Sequence, residues 1–200
     1  MRSAAPASGE EPILVDLAAV GFAVRSLADL RRPGVRYRDA IPVLVEWLGR
    51  ASDPKVKGEI ARALSVPWAK PVAVRPVIEE FRAVDVEVDP TGTGVRWTMG
   101  NALEVLFDDA YFDAFVELAA DKRYGKARQM VVLGLAKSKR PQVVDVLLGL
   151  VDDPDVDGHA VKALAKLRAP AARLAFESKL GDSRAWVRSE ARKGLNRLTG

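Results

Sequence analysis

Val56-Lys57-Gly58-Glu59-Ile60-Ala61-Arg62-Ala63-Leu64-Ser65 is a ten-residue phrase that returns four more times. The second copy is Val95-Arg96-Trp97-Thr98-Met99-Gly100-Asn101-Ala102-Leu103-Glu104, and the others span residues 127–136, 156–165 and 187–196. Their starts lie 39, 32, 29 and 31 residues apart. Self-similarity at such a period is the signature of stacked helix pairs.

Aligned by column, the first position reads Val56, Val95, Ala127, Val156, Val187, and the fifth Ile60, Met99, Val131, Ala160, Ala191. The ninth is Leu64, Leu103, Leu135, Leu164, Leu195. With the eighth column, these positions form the apolar face of a 3.6-residue helix. The eighth is always small: Ala63, Ala102, Gly134, Ala163, Gly194. A small side chain there lets a neighbouring helix approach closely at every layer.

Each phrase follows another apolar stretch: residues 41–48, 74–81, 111–119, 143–151 and 171–180. Ser52-Asp53-Pro54, Asp153-Pro154-Asp155 and Gly181-Asp182-Ser183 supply turn chemistry between partners. Pro42, Pro76, Pro141 and Pro170 fall at or near the starts of first helices, where a missing N–H costs little. Five helix pairs thus fill residues 38–200, an all-α solenoid. Before it, residues 13–20 read as a short helix stopped by Gly21, and Ser26-Leu27-Ala28-Asp29 opens another. Residues 12–37 are therefore expected to cap the array, and residues 1–11 to be a disordered tail. Cap and array together are expected to make one domain.

The pattern resembles HEAT repeats, and more closely the repeats of about thirty residues first named from phycobilisome lyases. The residues that carry the resemblance are Asp53-Pro54-Lys55-Val56 with Ala63-Leu64, and Asp153-Pro154-Asp155-Val156 with Ala163-Leu164. Val187-Arg188 with Ala191 and Leu195 carry it in the last copy. The resemblance implies an α-superhelix that presents a concave surface, with binding as its usual work. Similar repeats also build alkylpurine DNA glycosylases, but no full aromatic, Asp and Arg set of that kind can be matched here. Nor does a cysteine or a bilin pocket support a bilin-lyase activity.

Composition sets further bounds. The chain has 48% apolar and 29% charged residues, no cysteine and a formal charge of +4. Residues 1–124 carry 16 Lys and Arg against 19 Asp and Glu, giving −3, and residues 125–200 carry 15 against 8, giving +7. That asymmetry suits an acidic partner, nucleic acid, or simply an Arg-rich solvated face. No apolar run of about 18 residues is present, so no membrane span is expected. The first residues lack the apolar stretch of about 7 to 15 residues that a secretory signal needs. The expected location is the cytoplasm.

Catalytic chemistry is sparse. His159 is the only histidine, so no histidine-based triad or metal site can be assembled. It reads as structural. Asp108, Asp109 and Asp113 cluster where a helix N-terminus needs capping. Thr91-Gly92-Thr93-Gly94 is a glycine-rich turn with no following Lys-Ser or Lys-Thr, so it is not a P-loop. Trp47 and Trp68 flank the first pair and are assigned to packing. No cofactor or metal is expected, and the protein reads as non-enzymatic.

Binding is sought on the non-core columns of the second helices. Arg62, Arg96, Trp97, Asn101, Arg128 and Gln129 would form a patch of cations, amides and one aromatic, suited to an acidic or polar protein partner. The alternative is nucleic acid held by Arg184, Arg188 and Arg192, which fall at i, i+4 and i+8, with Lys193 beside them. That stripe equally suits the polar outer face of a terminal helix. Residues 83–94 insert about eight residues into the second pair, with Val84, Val86 and Val88 alternating in strand-like fashion. Such insertions often border a binding surface.

Overall fold

The computed structural model describes residues 9–85, 87–89 and 92–199. Most of the expected tail, residues 1–8, lies outside the described residues, as does Val86 of the strand-like stretch. Among the described residues there is no strand. The chain divides into two compact units, Met1–Leu106 and Phe107–Gly200. The division falls between the second and third expected pairs.

The first unit holds α1 (Glu11–Ala19), α2 (Leu27–Leu30), α3 (Ile41–Arg50), α4 (Pro54–Leu64), α5 (Lys70–Ala83) and α6 (Val95–Leu106). Helix α3 packs on α4 and α5, α6 packs on both α4 and α5, and the short α1 and α2 lie on α3 and α4. Glu10 is buried rather than part of a tail, and its carboxylate accepts from the Leu27 N–H at 3.1 Å. Gly21 ends the α1 segment as expected. Its φ of +94° lets the Gly21 N–H reach the Ala18 carbonyl and the Phe22 N–H reach that of Leu17, a Schellman closure. At α2 the expected capping box does not form, because the buried Ser26 hydroxyl makes no cap hydrogen bond. Asp29 accepts from the Arg25 N–H, not from that of Ser26.

The second unit holds α7 (Phe112–Ala120), α8 (Arg128–Leu135), α9 (Val143–Leu148), α10 (Asp157–Leu167), α11 (Arg173–Ser178) and α12 (Ala185–Thr199). Its second helices, α8, α10 and α12, pack in succession, while α7, α9 and α11 lean on them.

The apolar columns are the core. Val56, Ile60, Met99, Leu103, Val131, Leu135, Val156, Leu164 and Val187 are buried. Val95 and Leu195 are only half-buried. Burying one such side chain contributes on the order of 2 kcal/mol, so these columns supply much of the attraction between neighbouring helices. The small eighth column is needed: a Cβ on Gly194 would sit 2.7 Å from the Phe176 ring. Trp68 stacks edge-on against Tyr37 at 5.9 Å, and Trp47 donates to Asp16 at 2.7 Å, so both pack as expected.

One proline departs from expectation. Pro76 lies inside α5, because that helix starts earlier, at Lys70, with Pro71 in its first turn. A proline there removes the donor for the Val72 carbonyl. Val72 is exposed, so water can satisfy it.

Candidate functional site

The turn before each second helix carries an aspartate that binds its own backbone. Asp53 accepts from the Lys55 N–H, Asp121 from Arg123, Asp153 from Asp155 and Asp182 from Arg184, at 2.7 to 3.1 Å. Such Asx turns pre-shape the helix start. In the second pair, Asp89 reaches over the longer loop to the N–H groups of Gly94 and Arg96. Those N–H groups, the ones a phosphate would need, are already taken by a carboxylate. Asp108 similarly caps the turn before α7, accepting from the Ala110 N–H.

The second column, Lys57, Arg96, Arg128, Asp157 and Arg188, turns out to be spent on internal contacts, between pairs for Lys57, Arg128 and Asp157 and within a pair for Arg96 and Arg188. Lys57 pairs with Glu80. Arg96, only 4% exposed, donates to the carbonyls of Phe81 and Val84 at the end of α5. Arg128 is fully buried and grips Asp153 through both terminal nitrogens, at 2.8 and 3.1 Å, while also donating to the Ala119 and Gly125 carbonyls. Its guanidinium holds the Asp153 carboxyl below the usual carboxylate range. In the next copy the sign reverses. Asp157 receives Arg184 at 2.6 Å and Lys179 at 2.9 Å. Burial opposes its charge, but those two donors outweigh it and keep Asp157 ionised.

The expected binding residues therefore fall into two sets. Arg96 and Arg128 are corrections: they are structural clamps, buried because each has carbonyl or carboxylate partners that bare solvent would not improve. Arg62 and Trp97 do come together. They line an open groove of about 600 Å³ between α4 and α6, walled by Val88, Thr93 and Gly94 of the insertion. Trp97 is 37% exposed, and Arg62 pairs with Glu59 at 2.6 Å. Asn101 spends an amide donor on the Trp97 carbonyl of its own helix. Gln129 donates to the Asp155 carbonyl and borders a second groove, in the second unit.

The alternative Arg stripe is also corrected. Arg184 is taken up by Asp157 and Asp182, and Arg188 by the Asp182 and Ser183 carbonyls. Lys193 pairs with Glu190, while Arg192 is exposed. Three of the four cations meant for a phosphate backbone are thus engaged.

A stripe at i, i+3 and i+7 lines the grooves: Lys55/Gly58/Arg62 and Gly94/Trp97 in the first unit, and Lys126/Gln129 in the second. In the later copies the same stripe runs through Lys162 and Trp186. Lys126 and Trp186 each stand one residue before a copy of the phrase, outside its columns, so the alignment did not weigh them. Extending the phrase backwards by one position would have found them. Among the described residues no cluster of three His, Asp or Glu has metal-binding geometry, and no helix is long and apolar enough to cross a membrane.

A family model described as HEAT repeats matches residues 112–196, from the start of α7 into α12. No curated protein matches the chain.

Proposed function

Since the chain is a HEAT-like repeat protein, we propose that it is a non-enzymatic cytoplasmic scaffold that binds another protein through the groove between α4 and α6. HEAT repeats commonly serve as protein-interaction scaffolds, and one observation directs that role to this groove. Trp97 stands half out of the helix at a column where the other copies carry Gly58, Gln129, Gly158 and Ser189. An indole is a costly group to leave in water and a common anchor of interfaces. Val88, itself exposed, extends the apolar strip across the insertion. Lys55 and Arg62 on the facing helix add positive charge, partly offset by Glu59. The partner is accordingly a polar to acidic protein surface with an apolar residue to cover Trp97.

Affinity capture with the full chain tests this. A partner held by the wild type is expected to be retained about tenfold less well by Trp97→Ala, and less well by Arg62→Ala. Capture of every partner at wild-type levels by both variants would overturn the assignment of this groove.

A further inference from the structure

The second unit carries a groove of about 480 Å³ that crosses all three of its second helices. Lys126 stands before α8 and Gln129 on it, His159 and Lys162 lie on α10, and Arg184 and Trp186 mark the start of α12.

Trp186 is 42% exposed, yet it is fixed in place. Its ring lies on the α10 backbone at Gly158, where an added Cβ would fall 2.4 Å from Cη2 and 2.7 Å from Cζ2. The His159 ring flanks it at 5.3 Å, and the Arg184 guanidinium stands 5.9 Å from its centre. Arg184 is in turn locked by Asp157 and Asp182. An exposed indole held from several sides is a preorganised apolar platform, which reduces the ordering cost of binding.

The charge of the lining side chains is one-sided. No carboxylate lines the groove. Asp157 and Asp182 lie behind it, neutralised by Arg184 and Lys179. Lys126 and Lys162 have no hydrogen-bond or ion-pair partner among the described residues. Burial and the neighbouring Lys162 bring His159 down to a pKa of about 4, so it lines the groove as a neutral imidazole. Two unengaged ammonium groups beside an indole therefore define the site.

We propose that this groove docks a short acidic segment of a partner protein, whose carboxylates pair with Lys126 and Lys162 while an apolar side chain covers Trp186. A single nucleic-acid strand would also stack on an indole, but it needs cations that continue along its backbone. Arg184, which lines the groove just before α12, and Arg188, the next cation on that helix, are held by carboxylates and carbonyls. Two lysines match two carboxylates, not a phosphate chain. The site extends the scaffold reading to another surface and does not depend on the α4–α6 groove.

The test uses the full chain and a fluorescein-labelled octapeptide of Asp and Glu with one central Phe, followed by polarisation. Saturable binding is expected. It should weaken about tenfold or more in the double variant Lys126→Glu/Lys162→Glu and in Trp186→Ala, and it should weaken with added salt. Because the α4–α6 groove is proposed to take similar chemistry, the measurement is repeated in a Trp97→Ala background, where the loss caused by Lys126→Glu/Lys162→Glu should persist, so that failure of this site and failure of the first groove are distinguishable. Lys126 is exposed and Lys162 only half-buried, and neither packs on Trp186 as Gly158 does, so the lysine variant reports binding even if Trp186→Ala disturbs the α10–α12 packing. Absence of saturable binding, wild-type binding by the lysine variant, or tighter binding of an oligothymidylate of equal length would each overturn the proposal.

Discussion

The first and second units tie their layers together with the same column of the repeat but in different media. In the first, Lys57 meets Glu80 at a half-exposed edge and Arg96 spends itself on backbone carbonyls. In the second, Arg128 and Asp153 form a buried ion pair, and Asp157 takes two cations from the following pair. A buried pair adds little net stability when intact but is costly to break, because one charge is left without a partner in a poor solvent. The difference teaches that charge sign at this column is not fixed by the repeat. What matters is that a neighbouring segment supplies the complement: the next pair for Lys57, Arg128 and Asp157, and the same pair for Arg96 and Arg188.

The most severe test of that contrast pairs two truncations. Arg128→Ala should lose about 3 to 5 kcal/mol, and Lys57→Ala under about 1 kcal/mol, in urea unfolding followed by circular dichroism. Equal losses would erase the distinction between the units.

A smaller effect, with opposite signs, is expected at the third column. Gly158→Ala drives a methyl into Trp186 and should cost about 1 to 3 kcal/mol. Gly58→Ala meets only the mobile end of Arg62 at 3.6 Å. Replacing a helical glycine there should instead stabilise, by about 0.5 to 1 kcal/mol. Thermal melts of the two variants decide the matter, and a shift in the same direction for both would contradict it.

The last test concerns pH. His159 falls from 6.5 to about 4 on folding, chiefly through burial, then through Lys162, with Asp157 opposing and Arg184 adding. Below pH 6.5 the unfolded chain takes the proton and the folded one does not. Stability is therefore full above 6.5 and declines as pH falls towards 4. The slope should vanish in that window for His159→Gln. Since His159 is the only histidine, no comparable histidine slope arises from the first unit.

Much of this was legible in the sequence. Ile60, Leu103, Val131 and Leu164 are buried because helical periodicity states which face is apolar, and Gly21 closes its helix because only glycine takes that φ cheaply. The aspartate turns followed from Asp53-Pro54 and Asp153-Pro154. Periodicity could not say where a charged column points. Arg128 and Arg62 look alike in sequence, yet one is sealed against Asp153 and the other borders a groove. Pro76 misled because an earlier proline, Pro71, had already opened the helix.

The sequence by itself determined the repeat, the helix pairs and the apolar columns, because these rest on local spacing and on side-chain size. Tertiary structure alone decided which cations are spent, through residues 23 to 32 positions apart that no local pattern links: Lys57 with Glu80, Arg128 with Asp153, Asp157 with Arg184, Arg197 with the Ala165 carbonyl. It also placed Trp186 on Gly158, turning an unremarked indole before the last phrase into the centre of a groove. The physical reason is the reach of each force. Apolar burial follows the helix period, whereas an ion pair or an aromatic platform exists only once two distant segments have met.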